Sequence, residues 1–225
     1  MSKEVSDFYN TGKDFSPTCI TYSFANLWYT NPGAFRKRFY RNEESPTNPA
    51  YVFGSMVSDL IKNEPNHPSL TNLPISRYTA IDEEYKCKLG DVDFVFHPDL
   101  FEPSTFTFGE VKTGMSAKSG KPAWDDKKVA DHIQLECYSL GIESVFGQVN
   151  DACHFFWLVK DRTPEIVVSG AFKAKMSMGG EIVLTGECVS FERTITALER
   201  YRAKEWLVQA YHEISADFLL FKKNV

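Results

Sequence analysis

Alternating apolar and polar positions predict two short strands in the middle of the chain. One covers residues 90–96 and the other covers residues 106–114, and in both of them Val and Phe alternate with other residues. Two prolines lie between these segments, so the pattern indicates adjacent strands of one hairpin. Because side chains on a strand point to alternate faces, we expect Glu110 and Lys112 to share a face.

Helical spacing of apolar residues predicts a helix over residues 125–140. Acidic residues in its first turn complement the helix dipole, and Gly141 is the expected end of the helix. Gln134 and Tyr138 are four residues apart, so they lie on one strip of its surface.

Other apolar segments complete a mixed pattern of helices and strands. Ser23 is the expected cap of an early helix, and residues 50–61 predict a second helix. The nearly continuous apolar run 153–160 predicts a central strand. The C-terminal part predicts strands at 166–168 and 181–184 and a long helix over 194–220.

The predicted hairpin would bring the carboxylate of Asp93 beside that of Glu110, with the ammonium of Lys112 on the same face. Two hard oxygen ligands and a cation are what metal-assisted phosphodiester hydrolysis requires. A Glu two positions before a Lys is common by chance, however, and an isolated pair of this kind usually forms a surface ion pair. The motifs on either side of the pair therefore decide its interpretation.

The ordered set of motifs resembles the PD-(D/E)XK nucleases, in their RecB-like and lambda-exonuclease-like branch. The resemblance spans roughly residues 20–160 and depends on a Gly-x-x-Asp, a Glu-x-Lys and a Gln-x-x-x-Tyr, which carry Asp93, Glu110, Lys112, Gln134 and Tyr138. It implies a mixed α/β, restriction-endonuclease-like core with a central sheet of about five strands flanked by helices. We expect residues 1–225 to form a single domain of this kind, with C-terminal strands and a long helix in 161–225.

The resemblance also implies a site and a function. Asp93, Glu110 and the carbonyl of Val111 would bind Mg²⁺ or Mn²⁺, while Lys112 would orient the attacking water or help to deprotonate it. Gln134 and Tyr138 would contact the substrate or an ordered water. The implied activity is a metal-dependent DNA exonuclease in recombination, repair or phage DNA processing. An endonuclease on the same fold and a catalytically impaired nucleic-acid-binding or assembly module are the alternatives.

The sequence departs from the family at two points. Relatives carry a His or Glu in the second helix where this chain has Ser58. Either Asp59 replaces that ligand in a shifted register, or one metal is held with fewer protein ligands, or activity is lost. Some relatives bind an iron–sulfur cluster through four cysteines, but here Asn31 occupies the first of those positions and no cysteine follows Cys188, so we expect no cluster.

The charge of the chain limits the kinds of partner that it can bind. The net charge of −5 argues against a large nonspecific nucleic-acid surface, although local clusters matter more than the total. The residues expected to contact substrate phosphates, together with Ser58, are Arg36, Arg38, Lys118, Lys121, Lys127 and Lys128.

Five cysteines without paired spacing fit a reducing compartment, and neither a signal sequence nor a membrane span is evident. We therefore expect a cytoplasmic protein, in a bacterium or an infected host cell, that acts on DNA. A second copy of the chain or a recombination or replication protein is the further partner class that these observations leave open.

Overall fold

The computed structural model describes residues 17–43, 49–116, 122–162, 166–169, 175–178 and 183–223. The helices in these ranges are α1 (Tyr22–Thr30), α2 (Pro32–Phe39), α3 (Pro49–Asn63), α4 (Asp126–Ala130), α5 (Ile133–Phe146) and α6 (Ala197–Lys223). The strands are β1 (Ala80–Ile81), β2 (Tyr85–Leu89), β3 (Val92–Phe96), β4 (Leu100–Glu102), β5 (Thr107–Met115), β6 (Ala152–Lys160), β7 (Ile166–Ser169), β8 (Lys175–Met178) and β9 (Leu184–Thr194).

A five-stranded mixed sheet lies at the centre of the molecule, with strand order β1-β4-β5-β6-β9. β5 and β6 run parallel, while β1 with β4, β4 with β5, and β6 with β9 are antiparallel. The expected mixed α/β fold is therefore confirmed, as are the central strand now seen as β6 and the long C-terminal helix α6.

Helices cover both faces of this sheet, and the side chains of β6 alternate between them. Phe155 and Trp157 point to the face covered by α5 and α6. Phe156 and Leu158 point to the opposite face, where they pack with Phe53 of α3. The two faces thus have separate hydrophobic cores, and the side of β5 on which a residue lies decides which helices it meets.

The predicted pairing of the two sequence segments around the prolines is wrong. β3 pairs with β2 in a separate two-stranded sheet, with Leu89 opposite Val92. β5 instead pairs with β4, the short strand between the two segments, and with β6. The physical reason is the tight turn at Gly90, whose φ of 73° suits glycine and closes the β2–β3 hairpin locally.

The helix predicted over 125–140 is two helices. α4 ends at Ala130, and α5 begins at Ile133 and continues past Gly141 to Phe146, where Gly147 adopts the left-handed conformation with φ 73°. The break is held from β9, because the guanidinium of Arg193 donates hydrogen bonds to the carbonyls of Val129 and His132.

The helices at the two ends of the described chain pack against each other and α5. α1 is capped by Thr21, whose Oγ1 accepts a hydrogen bond from Phe24 N, and not by Ser23 as the sequence suggested. α6 buries one stripe along its length, comprising Ala203, Leu207, Ala210, Ile214 and Phe218. Within the described ranges, no helix combines the length and apolar character that crossing a bilayer requires.

Two helical glycines differ sharply in the space around them, which gives a paired test of the packing. A Cβ on Gly141 would lie 2.5 Å from the ring of Phe96, whereas a Cβ on Gly54 would meet nothing within 4 Å. We expect Gly141→Ala to lower the free energy of unfolding by about 1–3 kcal/mol through overpacking. Gly54→Ala should raise it by about 0.5–1 kcal/mol through helix propensity. Urea unfolding measures both, and equal effects would show that α5 is misplaced against β3.

Arg193 offers a second test of the fold. Its side chain is 9% exposed and contacts Glu136 and Glu199 as well as the two backbone carbonyls at the helix break. We expect Arg193→Met to cost about 3–5 kcal/mol in unfolding free energy, since it leaves carboxylates without their partner. Arg41→Met is the matched control, because the Arg41–Glu43 pair is exposed and its loss should change stability by at most about 0.5 kcal/mol.

Candidate functional site

Glu110 and Lys112 lie on the same face of β5, as the sequence predicts. Glu110 is 1% exposed, and the Lys112 ammonium donates a hydrogen bond to its Oε1. This face is the one covered by α5, because the ring of Phe108, two residues before Glu110, meets that of Tyr138 at 6.3 Å. A carboxylate and an ammonium are thus held together under a helix, with the Lys112 side chain 31% exposed at the margin.

Asp99 completes the group. Leu100 of β4 pairs with Gly109 of β5, so the antiparallel register places Asp99 directly across from Glu110. Its Oδ2 accepts a hydrogen bond of 2.7 Å from the backbone N–H of Val111. The strand register and this hydrogen bond place the carboxyl groups of Asp99 and Glu110 next to each other. The sequence signal for Asp99 is the Pro98-Asp99 dipeptide directly before β4, and the sequence prediction assigns the carboxylate to Asp93 instead.

Burial and mutual repulsion perturb both acids. Burial, and then the neighbouring Asp99 carboxylate, raise the pKa of Glu110 to about 8, although Lys112 opposes the shift. Burial also raises the pKa of Asp99. Oε2 of Glu110 is buried and has no hydrogen-bond partner among the described residues. Two adjacent buried carboxyl groups need a proton or a cation between them, and this free oxygen is an acceptor for either.

Gln134 and Tyr138 lie beside the acids on α5, as the Gln-x-x-x-Tyr spacing predicts. Both are buried, and Nε2 of Gln134 donates a hydrogen bond of 2.7 Å to the Tyr138 hydroxyl. Burial and the carboxylates of Glu110 and Asp99 raise the pKa of Tyr138 well above its usual value. The phenol therefore remains protonated.

His132, between α4 and α5, is a site neighbour that the sequence analysis missed. Burial, and then the positive charges of Lys112 and Arg193, lower its pKa to about 3, so its imidazole is neutral. Its ring meets those of Trp124 at 5.3 Å and Tyr22 at 6.3 Å. No sequence motif marked this residue, because the break between α4 and α5 places it.

Asp82 is a second neighbour absent from the sequence prediction. The β1–β4 register, with Ile81 opposite Leu100, places it next to Asp99, and its N–H donates to the Asp99 carbonyl at 3.1 Å. Its carboxylate pairs with Lys62 at the end of α3, at 3.4 Å. Asp82, Asp99 and Glu110 therefore occupy neighbouring register positions across β1, β4 and β5.

The structure does not bring Asp93 to this site, which corrects the sequence prediction. Asp93 lies on β3 in the other sheet, where its carboxylate pairs with Lys88 at 2.7 Å and is 51% exposed. The prediction assumed that β3 and β5 are hairpin partners, and the tight β2–β3 turn removes that assumption.

Ser58 and Asp59 are not brought to the acids either. Ser58 donates a hydrogen bond of 3.2 Å to the carbonyl of Gly54 within α3, and Asp59 is exposed. α3 packs on the sheet face opposite Glu110, so the expected helix ligand has no counterpart from these two positions. The link from α3 toward the site is instead Lys62, through Asp82.

The basic residues predicted to bind phosphates differ in whether their side chains are available. Lys118 and Lys121 lie outside the described residues. Lys128 donates to the carbonyls of Pro122 and Ala123 and lies near Asp125, while Lys127 is exposed. Arg36 forms a bidentate pair with Asp217, at 2.7 and 2.8 Å, and Arg38 lies over the ring of Phe39. The basic cluster of α2 is therefore at least partly committed to packing against α6.

Asp99 and Glu110 are suitable ligands for a divalent cation, but they are only two side chains. Among the described residues, no group of three or more His, Cys, Asp or Glu side chains is arranged to hold a metal ion. Asp99 and Glu110 together supply two carboxylates, and the unpartnered Oε2 of Glu110 is a hard oxygen of the kind that Mg²⁺ and Mn²⁺ prefer. Any further ligands would be backbone carbonyls and water.

Two solved structures share this fold. One is a phage-related exonuclease from Haemophilus somnus, with a TM-score of 0.50 and 12% identity, covering 84% of this chain and 80% of that one. The other is a candidate exonuclease from Eubacterium rectale, with a TM-score of 0.52 and 12% identity, covering 92% and 82% respectively. No family model matches the sequence, and no curated protein matches it. At this identity the likeness establishes the fold, which is that of exonuclease structures.

Proposed function

We propose that this chain is a metal-dependent deoxyribonuclease of the PD-(D/E)XK type that removes nucleotides from DNA ends, in recombination, repair or phage DNA processing. The observation that carries the proposal is the buried Asp99–Glu110 pair, with a free carboxylate oxygen and Lys112 alongside. The fold shared with a phage-related exonuclease supports the choice of nuclease and of phage-type processing.

Each residue of the candidate site has a separate role in the proposed hydrolysis of a phosphodiester bond. Asp99, Glu110 and the Val111 carbonyl would hold Mg²⁺ or Mn²⁺, which when bound lowers the pKa of a water and offsets charge on the phosphate. Lys112 donates hydrogen bonds and places positive charge next to the reacting phosphate. Gln134 fixes the Tyr138 hydroxyl, which orients a phosphate oxygen or a water.

Substitutions at Asp99 and Glu110, with Asp93 as the control, test which carboxylates form the metal site. We expect Asp99→Asn and Glu110→Gln each to reduce Mg²⁺-dependent cleavage of linear DNA at least about a hundredfold, since each removes negative charge from the ion site. Asp93→Asn is the isosteric control and should retain cleavage within a few-fold. Circular dichroism verifies that all three variants fold. An inactive Asp93→Asn variant together with an active Asp99→Asn variant would show that the metal ligand is Asp93 on β3 and not Asp99.

The exonuclease assignment has its own test. Mg²⁺ is added to end-labelled linear DNA with single-stranded tails and to covalently closed circular DNA, and EDTA is added to a parallel pair. We expect nucleotides to be released from the linear molecule, an intact circle, and no reaction with EDTA. Cutting of the circle would make the endonuclease alternative correct. No reaction on either substrate would favour a catalytically impaired nucleic-acid-binding module. This is the second candidate because the described residues supply few metal ligands and Ser58 bonds within its own helix.

A further inference from the structure

Three aromatic rings form a continuous row between α1 and α6. Tyr22 and Trp206 lie 6.1 Å apart between ring centroids with an interplanar angle of 33°, and Trp206 and Tyr29 lie 5.4 Å apart at 34°. Tyr22 and Trp206 are partly buried, and Tyr29 is 37% exposed. We call these three residues the aromatic row.

One end of the aromatic row is continuous with the candidate site. The ring of Tyr22 meets that of His132 edge-on at 6.3 Å, and His132 in turn lies close enough to Lys112 for the ammonium to help lower the pKa of its imidazole. The other end, at Tyr29, reaches the surface. A chain lying along the row would therefore have one end beside Lys112 and the other in solvent.

The chemistry of the aromatic row favours bases over phosphates. Arg202 lies one turn before Trp206 on the same strip of α6 and is exposed, so a cation is available for a backbone phosphate. Near Tyr29, Glu213 accepts hydrogen bonds from Trp28 and Gln209, which makes that end negative. Rings with a single flanking cation suit base stacking, which every base supports through its π-face.

We infer that the aromatic row binds unpaired bases of a DNA strand and leads that strand toward Lys112, so the substrate of this site is a single-stranded end or tail. The inference rests on the proposed nuclease function, whose substrate class it specifies. The same rings also pack α1 against α6, so the test must separate base binding from packing.

An abasic oligonucleotide provides that separation, because it keeps the phosphates and removes the bases. Binding of a short oligothymidylate and of an abasic strand of equal length is measured by fluorescence anisotropy without divalent metal, so that no cleavage occurs. We expect the wild type to bind the oligothymidylate about tenfold or more tightly than the abasic strand. Trp206→Leu and Tyr29→Leu keep apolar packing, remove the π-face and should bring the two affinities to within about twofold.

Tyr201→Leu is the matched control, since Tyr201 is on α6, is 58% exposed and lies outside the aromatic row. It should keep the wild-type preference for the oligothymidylate. Urea unfolding identifies any variant that binds poorly because it is destabilised, and Tyr29→Leu serves if Trp206→Leu fails to fold. Equal wild-type affinity for the two strands, or loss of the preference in Tyr201→Leu alone, would overturn the inference.

Cleavage measured on the same proteins separates this inference from the proposed function. A wild type that degrades DNA yet binds both strands equally retains the nuclease proposal and removes the base-binding row. A wild type that prefers the oligothymidylate but cuts no DNA retains the row and removes the nuclease proposal.

Discussion

Burial of the Glu110 carboxylate beside Asp99 is the constraint that the centre of this structure has to satisfy. Removing a charge from water costs several kcal/mol per ion unless hydrogen bonds and opposite charge compensate for it. Lys112 supplies the charge, and the Val111 N–H satisfies one oxygen of Asp99. Because Oε2 of Glu110 is left without a partner among the described residues, the compensation is incomplete in the chain alone. A proton or a cation between the two carboxyl groups would complete it, and the raised pKa of Glu110 shows that the environment favours the neutral form when no cation is bound.

The Asp99–Glu110 pair depends on the strand register and on two glycines of β5, whose lack of a side chain permits close packing. A Cβ on Gly109, just before Glu110, would lie 2.8 Å from the ring of Phe156, and one on Gly114 would lie 2.4 Å from Ala123. These two glycines let β5 sit tightly between the layers at both ends of the Glu110–Lys112 segment. The parallel β5–β6 pairing then keeps Glu110 opposite Phe155, in the interior of the sheet.

Local periodicity was sufficient to predict which side chains of the candidate site lie together within one strand or one helix. The two-residue period of a strand places Glu110 and Lys112 together, and the four-residue step on a helix joins Gln134 to Tyr138. Partner choice between strands was not recoverable in this way, since Gly90 closes a hairpin that removes Asp93 and leaves Asp99 opposite Glu110. The break that positions His132 depends on Arg193, which is distant in sequence, so no local pattern could reveal it.

Long-range pairing also changes what the charges can do. Arg36 belongs to a conspicuous basic cluster in the sequence, yet its bidentate bond to Asp217 ties α2 to α6 and reduces its availability to phosphate. Lys128 is likewise occupied by carbonyls of the preceding loop. With a net charge of −5, the chain as a whole does not attract a polyanion such as the DNA of the proposed function. Under the proposed function, recognition would be concentrated at Lys112, at the metal ion and at the aromatic row, which would make binding less sensitive to salt than in a basic nuclease.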